Sequence, residues 1–434
     1  MRRIRLAGLN CGDILPKTVE SFLSGSNLQY NWSRKLKGMV VGICLARSVV
    51  LQDIARREGG KVKKVEKSLS EFLSSKRLKL RDSSWKCTVE VLRRIGKKRF
   101  YRYRGKLVLL VDSTSYVKLR SRGKEQRMPH IGKVLLHNTP SKKVILAPGY
   151  NEFWTGLLLK DKTCLGMTRR LFTETRLPGF SQNKLEEAEI QRAIALVQEA
   201  FRMKVIVVGD RGFRRKELLQ LLKKDFGTDF VIRLEGKLTV NARGCDGLLQ
   251  KLAPHWPERL RRCWRDDAKN PILSAIRAAV VAIPLPARKS LRCNVLCLTP
   301  LNKQDLEPLF LASTLPIDTV EDLSEIVTLY SRRWTIETFF FSFKQSLRAQ
   351  GFRVFSCWEA IDRLLAMAHM AFLILYALFV FGQDALGGVW AEFWCGVRDR
   401  LRDWFARPPK LTLGYFFEIL AKDYDKCRWA WSSG

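Results

Sequence analysis

The spacing of hydrophobic residues divides the chain into a helical beginning, a centre in which strands and helices alternate, and a helical end. Residues 34–80 carry apolar positions at helical spacing, whereas short apolar runs typical of buried strands begin after Lys106. Strands are predicted at 107–111, 131–137, 143–147, 205–208 and 230–234, and helices at about 184–202, 214–225 and from 321 onward. The pattern therefore predicts an α/β centre between helical N- and C-terminal parts.

One stretch of the centre departs from this alternation. Residues 237–309 contain proline-bounded segments that favour strands, among them AAVVAIPLP and LRCNVLCLTP. We interpret them as a β-rich insertion that splits an α/β domain into 101–236 and 310–352. Residues 1–100 form a predicted helical domain, and 353–434, rich in Trp and Phe, form a second one.

The N-terminal part contains the outline of a helix-turn-helix at about 48–74. Leu51, Ile54 and Ala55 precede Gly59-Gly60, and a second apolar stripe follows at helical spacing. The second helix carries four cations away from that stripe, as a helix lying near phosphates does: Lys61, Lys63, Lys64 and Lys67. An ordinary helical hairpin with a solvated basic face has the same pattern, so both interpretations stand.

Basic and aromatic residues alternate in RRIGKKRFYRYRGK, residues 93–106. Aromatic rings among cations suit an arm that faces nucleic acid, because bases stack on rings while phosphates pair with the charges. A charged edge strand would look similar.

The charge of the whole chain indicates its partner. Lys and Arg outnumber Asp and Glu by 78 to 42, which gives a net charge of +36 spread over most of the sequence. Self-repulsion of this size is relieved by a polyanion, and the spread favours a long wrapped ligand such as double-stranded DNA over a membrane surface. The eleven cysteines are scattered without the spacing of a disulfide or zinc framework, so we expect reduced thiols in a cytoplasmic protein associated with the nucleoid.

Leu364–Phe381 is an apolar run about as long as a membrane span, interrupted by His369 alone. Charged residues flank it closely, and no second such segment accompanies it. We therefore predict a buried core helix with a core histidine rather than a membrane anchor.

Three acids stand where such a fold can bring them together. Asp112 follows the apolar run LVLLV, Asp210 follows Val205–Val208 and Gly209, and Glu337 lies on a predicted helix. Each alone is most simply a turn, cap or surface residue. Together, carboxylates from two strands and a helix are the ligands that hard cations such as Mg²⁺ prefer.

The predicted helix that holds Glu337 also carries Tyr330, Arg333 and Lys344. At about 100° per residue these four side chains fall at roughly 0°, 300°, 340° and 320°, so one uninterrupted helix would present them on a single face toward a groove. An adjoining apolar stripe would pack on the sheet: Leu329, Ile336, Phe339, Phe340, Phe343 and Leu347. An exposed row with an Arg333–Glu337 ion pair is the simpler alternative.

The spacing Tyr, two residues, Arg, three residues, Glu, six residues, Lys resembles the Tyr-Arg-Glu-Lys signature of bacterial insertion-sequence transposases of the DDE class. The resemblance covers roughly 105–352 and extends to Trp334. It implies a ribonuclease-H-like catalytic core, a mixed sheet with flanking helices, interrupted by the β-rich insertion. It also implies that Asp112, Asp210 and Glu337 bind two Mg²⁺ ions, for which Mn²⁺ can substitute.

In the same resemblance, Tyr330, Arg333 and Lys344 hold DNA phosphates, and Trp334 matches a common family residue. We count Trp334 and Arg211, directly after the second acid, among the predicted DNA contacts. The implied reaction is strand cleavage at terminal inverted repeats and transfer to target DNA, with two ends paired in a homodimer. Some relatives pass through a hairpin that needs an aromatic ring for an unstacked base. Trp256 and Trp264 are candidates for that ring, with burial in the core as the alternative.

A second function class fits the same residues. A regulator descended from a transposase would bind DNA without cutting it, and the presence of all three acids favours the enzyme.

Overall fold

The computed structural model describes residues 11–24, 28–58, 60–118, 128–136, 145–173, 180–265, 271–285, 289–302 and 306–381. The predicted C-terminal domain beyond 381 lies outside these ranges. The described helices are α1 Cys11–Leu23, α2 Tyr30–Ala46, α3 Leu51–Glu58, α4 Val62–Ser74, α5 Arg81–Ile95, α6 Gln182–Phe201, α7 Lys216–Gln220, α8 Leu249–Leu252, α9 Val320–Ser331, α10 Thr335–Ser346 and α11 Trp358–Phe381.

The strands form one mixed sheet. They are β1 Arg102–Tyr103, β2 Lys106–Val117, β3 Gly132–Leu136, β4 Ile145–Leu158, β5 Cys164–Phe172, β6 Val205–Gly209, β7 Asp229–Leu234, β8 Thr239–Ala242, β9 Cys245–Leu248, β10 Glu258–Arg265, β11 Pro271–Pro284, β12 Ser290–Pro300 and β13 Leu309–Ser313. Their order is β3-β4-β2-β6-β7-β13-β12-β11-β8-β9, while β5 pairs with β4, β1 with β2 and β10 with β11. The predicted α/β class with a mixed sheet and flanking helices is confirmed.

Three central strands run parallel and the others antiparallel. β2 pairs in parallel with β6, and β6 with β7, because α6 and α7 return the chain across the sheet between them. The apolar runs of these strands are fully buried, as strands covered on both sides require. The parallel centre therefore places the C-terminal end of β6 beside the middle of β2.

The segment predicted as a β-rich insertion does contain five strands, β8 to β12. They do not build a separate sheet, because β12 pairs with β13, which in turn pairs with β7. The long β11–β12 hairpin thus extends the central sheet outward. The domain boundaries themselves remain predictions.

Three strand predictions were incomplete. β2 does not end at Asp112 but continues to Val117, and the strand predicted at 143–147 is β4, which continues to Leu158, because the two strands pair along that length. β5 was missed because Arg169 and Arg170 break its apolar pattern, although Arg169 is buried there by ion pairs to Glu152 and Asp362.

Helices cover both faces of the sheet. Trp154 of β4 packs against Phe339 and Phe343 of α10, with ring centroids 5.0 and 5.2 Å apart. The neighbouring Thr155 contacts Thr168, whose hydroxyl donates to a carbonyl of α6. Since successive strand side chains point to opposite faces, α10 and α6 lie on opposite sides. The whole predicted apolar stripe of α9 and α10 is buried.

The N-terminal helices are docked on the rest of the molecule. Arg363 of α11 donates to the carbonyl of Leu73 in α4 at 2.6 Å, and Trp85 of α5 donates to Glu199 of α6 at 2.6 Å. One continuous hydrophobic core runs from these helices into the sheet. Helices α3 and α4 are observed where the helix-turn-helix was predicted.

The apolar run at 364–381 is part of α11. By length and composition this helix could cross a membrane, as could α2 and α3 taken as one bent pair, but 83% of the apolar window of α11 is buried in the protein. His369 is fully buried with Nε2 3.1 Å from the Gly166 carbonyl oxygen, and burial lowers its pKa to about 3. The predictions of a core helix and a core histidine are confirmed.

A steric test addresses the contact between β5 and α10. A Cβ added at Gly166 would lie 2.3 Å from Cζ of Phe339, so Gly166→Ala should lower the free energy of unfolding by about 1–3 kcal/mol in urea denaturation. Phe339→Leu, which shortens the opposing side chain, should recover part of this loss when combined with it. Purely additive effects would contradict the contact.

Candidate active site

Asp112 and Asp210 lie at the same level of two adjacent parallel strands. Leu107 pairs with Val205 and Leu110 with Val208, and the same register continued two residues further sets Asp112 opposite Asp210. Neighbouring strands lie about 4.8 Å apart. The pairing of β2 with β6 therefore places two carboxylates side by side.

Both aspartates are anchored by local hydrogen bonds. Asp112 Oδ1 accepts from its neighbour's backbone, Ser113 N, at 2.7 Å, and Asp210 Oδ1 accepts from Gly212 N at 2.7 Å. The second contact caps the short 3₁₀ turn Arg211–Phe213. The simple capping role considered for Asp210 is thus present, and it also fixes the side chain beside Asp112.

The pKa of Asp112 depends on the charged groups around it. Burial raises the pKa of this carboxyl, Arg333 opposes the rise, and the charges of Asp210 and Glu337 add to it, so that the pKa reaches about 7. Both other acids therefore lie within electrostatic reach of Asp112. The three predicted acids converge on one place in the fold.

Arg333 joins two of these acids. Its Nη1 donates to Asp112 Oδ2 at 2.9 Å and lies 3.5 Å from Glu337 Oε1. The Arg333 side chain is buried, whereas 44% of the Glu337 side chain is exposed. The simpler alternative, an ion pair between Arg333 and Glu337, is thus present, but it is part of a larger cluster that includes the sheet.

The prediction of one uninterrupted helix was wrong. α9 ends at Ser331, Arg332–Trp334 form a 3₁₀ turn, and α10 begins at Thr335. A 3₁₀ helix turns about 120° per residue and an α-helix about 100°. The three residues of the 3₁₀ turn therefore rotate the side chains of α10 by roughly 60° relative to a continuous α-helix. Hydrophobic spacing does not reveal so short a change of period, because the apolar residues on either side still fall on the buried face.

The prediction of a polar row facing an open groove was also wrong at two of its four positions. Tyr330 and Arg333 are 5% and 4% exposed. Burial raises the pKa of Tyr330, while the charges of Arg333 and Arg233 and a hydrogen bond with Arg233 lower it. The Arg333 guanidinium also lies 4.3 Å from the ring centroid of Trp334. Tyr330 and Arg333 thus pack inward against the sheet, whereas Glu337 stays at the surface.

Lys344 is tied to the strand that carries Asp112. Its Nζ donates to Thr114 Oγ1 at 2.6 Å and to the Ser115 carbonyl at 2.7 Å, and it lies 5.0 Å from the ring centroid of Tyr116. Burial lowers the pKa of Lys344 to about 8, against the opposing charge of Glu152. Lys344 thus fastens α10 to β2 close to Asp112.

The donor chemistry of the three acids fits a hard cation, because carboxylate oxygens are what Mg²⁺ and Mn²⁺ prefer. Within the described ranges, however, no three His, Cys, Asp or Glu side chains are grouped closely enough to hold a metal ion. Arg333 lies between two of the acids, so metal binding requires its guanidinium to move. The site offers the right ligands without a preformed cage.

A cleft of about 330 Å³ has Arg211, the residue after Asp210, in its wall. It is lined by Arg211, Arg233, Lys237, Glu235 and Phe310, among others. Arg211 was predicted to contact DNA, whereas Arg233 was not identified from the sequence. In the sequence, Arg233 is a single cation inside the apolar run FVIRL. That pattern predicts a strand but gives no indication of a binding residue.

The remaining predicted DNA contacts lie apart from the acids along the chain. Lys63, Lys64 and Lys67 are exposed on α4, and Lys61 is exposed at its N-terminus. The exposure of these lysines fits both DNA binding and an ordinary solvated helix face, so it does not decide between the two interpretations.

For both sets of aromatic candidates the structure shows the alternative interpretation. In 93–106, Arg102–Tyr103 form the short strand β1, which pairs with β2, and Phe100 is completely buried. The hydroxyls of Tyr101 and Tyr103 donate to Glu325 and Asp322 of α9. Trp256 is 5% exposed and inaccessible for stacking. The side chain of Trp264 lies outside the described part.

One family model matches part of the chain. Residues 186–374 match the family model described as a transposase DDE domain, a span that includes Asp210 and Glu337 and begins after Asp112. A search of curated proteins gave no match. Over this span the chain is similar to DDE transposases, which supports a DDE-type transposase acting in DNA transposition.

The buried ammonium group of Lys344 makes stability depend on pH. Its pKa is about 8 in the folded protein and near 10.5 in an unfolded chain, so folding penalises the charged form below pH 8 and the penalty vanishes as pH rises toward 10.5. The gap in unfolding free energy between Lys344→Met and the wild type should therefore fall across this window, measured by urea denaturation. Exposed Lys160→Met serves as control, and a gap that stays constant would argue against the buried charge.

Proposed function

We propose that this protein is a DNA transposase of the Tyr-Arg-Glu-Lys subgroup, with a ribonuclease-H-like core, that cuts at terminal inverted repeats and joins the ends to target DNA. The observation that carries the proposal is the register of β2 and β6, which sets Asp112 opposite Asp210. Arg333 then links Asp112 to Glu337. The similarity of 186–374 to the transposase DDE domain supports the same conclusion.

In this proposal Asp112, Asp210 and Glu337 would hold two Mg²⁺ ions, for which Mn²⁺ could substitute, once Arg333 has moved away from Asp112 and Glu337. When bound, such ions activate a water or a 3′ hydroxyl and stabilise the leaving oxygen of a phosphodiester. The hydrogen bond from Ser113 N orients the Asp112 carboxylate, and the hydrogen bond from Gly212 N orients that of Asp210. Glu337, whose side chain is 44% exposed, would contribute its carboxylate from the solvent side.

Arg333 has a double role in the proposal. It now neutralises part of the negative charge of Asp112 and Glu337, and its Nε is buried with no hydrogen-bond partner among the described residues. A buried unpaired N–H is costly, and a phosphate oxygen would satisfy it. Arg333 would thus turn from the acids to the scissile strand, and the exposed Arg211 would hold a neighbouring phosphate. Tyr330 and Lys344 would reach phosphates, and Trp334 would contact DNA, only after α9 and α10 shift relative to the sheet, because Tyr330 is buried and Lys344 is bonded to β2.

DNA binding as a whole follows from charge. A net charge of +36 favours a long polyanion, and the exposed lysines of α4 would contact phosphates of the terminal repeat. We propose that each of two transposon ends is held by one copy of the protein, in a homodimeric synaptic complex. Such a protein acts in the cytoplasm at the nucleoid.

Catalysis is tested on a labelled duplex carrying the inverted repeats that flank the gene. With Mg²⁺ or Mn²⁺ the wild type should nick it, while Asp210→Asn and Glu337→Gln should lose more than about a hundredfold in rate yet retain binding, since even supporting residues around metals contribute 10–100-fold. Asp225→Asn, exposed elsewhere, is the matched control. Binding without cleavage by the wild type would instead identify a regulator.

The DNA contacts of α4 are tested by salt dependence. Lys63→Gln combined with Lys64→Gln should reduce the log-log slope of affinity against salt by about 0.9 for each phosphate that the variant no longer neutralises. The control replaces two exposed lysines between β4 and β5, Lys160→Gln with Lys162→Gln. An equal reduction in the control would mean that α4 has no special place in the complex.

A further inference from the structure

A cavity of about 430 Å³ lies where the N-terminal helices meet the rest of the molecule. Its walls come from α5 and the two residues before it, from β5, from α6 and from α11. Pockets of this size commonly hold small molecules. The residues that line it are neither the three acids nor the residues predicted to contact DNA, so the proposed reaction gives this cavity no role.

The lining of this cavity is strongly positive. Its acids are Asp82, Glu359 and Asp362, and its cations are twice as many: Lys79, Arg81, Arg169, Arg170, Arg192 and Arg363. Asp362 pairs with Arg169 at 2.9 Å and lies 3.8 Å from Arg170, so one carboxylate serves two guanidinium groups. Cations that are partly buried need opposite charge nearby, and an anion in the cavity would supply it.

Arg192 has the least complete pairing of these arginines. Its side chain is 13% exposed, its Nη1 lies 3.7 Å from Glu189 Oε2, and its Nε is buried with no hydrogen-bond partner among the described residues. Burial lowers the pKa of Arg192, Glu189 opposes the fall, and the charges of Arg81 and Arg170 add to it. Arg192 is thus a cation surrounded by like charges, in the wall of a cavity that can admit a ligand.

The cavity is separate from the acid cluster. Asp112 pairs with Trp154 of β4, and Trp154 pairs with Arg169 of β5, so the three residues form one row across the sheet. Neighbouring strands lie about 4.8 Å apart, which places the backbone of Arg169 about 10 Å from that of Asp112. The fully buried Trp154 lies between them. A ligand in the cavity therefore does not occupy the place of the scissile phosphodiester.

We propose that this cavity binds the phosphate groups of a small ligand such as a nucleotide. Phosphate suits a cluster of arginines, because each guanidinium can donate two parallel hydrogen bonds to its oxygens. Arg81 is exposed on the solvent side, whereas Arg170 and Arg192 are partly buried. Leu196 and Trp358 line the same cavity and offer apolar surface to an organic part of the ligand. Since α5 forms one wall, the ligand would also strengthen the docking of the N-terminal helices.

The test is titration calorimetry of the full chain with ATP and with inorganic triphosphate, at constant ionic strength and without divalent cations. The wild type should bind one molecule of either probe, and saturation should raise its thermal midpoint. Arg192→Gln should weaken binding by about 10- to 150-fold, as expected for a hydrogen bond to a charged group. Arg81→Gln, at an exposed position, should weaken it by about two- to fivefold. Tighter binding of ATP would identify a nucleotide, and equal binding the phosphate chain alone.

Two controls make the result specific. Arg93→Gln removes a cation that is also exposed on α5 but does not line the cavity, so it should leave both affinities unchanged. Because Arg81 is exposed, Arg81→Gln should keep the circular dichroism spectrum and the ligand-free thermal midpoint of the wild type. Its loss of affinity then tests the site even where Arg192→Gln alters the fold.

Absence of binding of both probes to the wild type, or the same loss in Arg93→Gln as in Arg81→Gln, would overturn the inference. So would an equal loss of affinity for ATP and for duplex DNA in Arg81→Gln and Arg192→Gln, because the phosphate would then belong to DNA. None of these measurements depends on whether the protein cuts DNA, so the proposed function and this inference fail independently.

Discussion

Carboxylates placed side by side repel each other, and the centre of this molecule has to offset that repulsion. The parallel pairing of β2 with β6 sets Asp112 against Asp210, and α10 brings Glu337 to the same place. Arg333, buried beneath them, offsets part of the repulsion through Asp112 and Glu337. Burial of such a group costs free energy unless it is well paired, so the arrangement holds only while sheet, helix and arginine keep their positions.

The sequence was informative where a pattern reflects burial. Apolar runs located β2, β6 and β7, and the buried stripe of α9 and α10 was identified residue by residue. The proximity of Asp112 and Asp210 could be anticipated because each follows the apolar run of a buried strand, although β2 continues past Asp112. The roles of all three acids as ligands stay predictions, as do the roles of Tyr330, Trp334, Lys344, Arg211 and the α4 lysines in binding DNA.

What the sequence could not reveal depends on contacts distant in the chain. The 3₁₀ turn at Arg332–Trp334 changes the helix phase without disturbing the apolar pattern, and Tyr101 and Tyr103 look like a nucleic-acid surface until their carboxylate partners on α9 are known. β5 was hidden because Arg169 is charged and yet buried by Glu152 and Asp362. A change of helix type decides the first case. In the other two cases, partners more than a hundred residues away decide the structure, and Arg169 has a further partner, Glu152, on the adjacent strand.

The docking of α4 and β5 on one helix, α11, has a geometric consequence. Arg363 of α11 holds the end of α4, while Asp362, its neighbour, holds Arg169 of β5. A DNA-reading surface on α4 would then stand at a constant distance from Asp112 and Glu337. The protein would act as a ruler, in which the number of base pairs between the recognised sequence and the cut is fixed by the packing of α11 and not by the DNA.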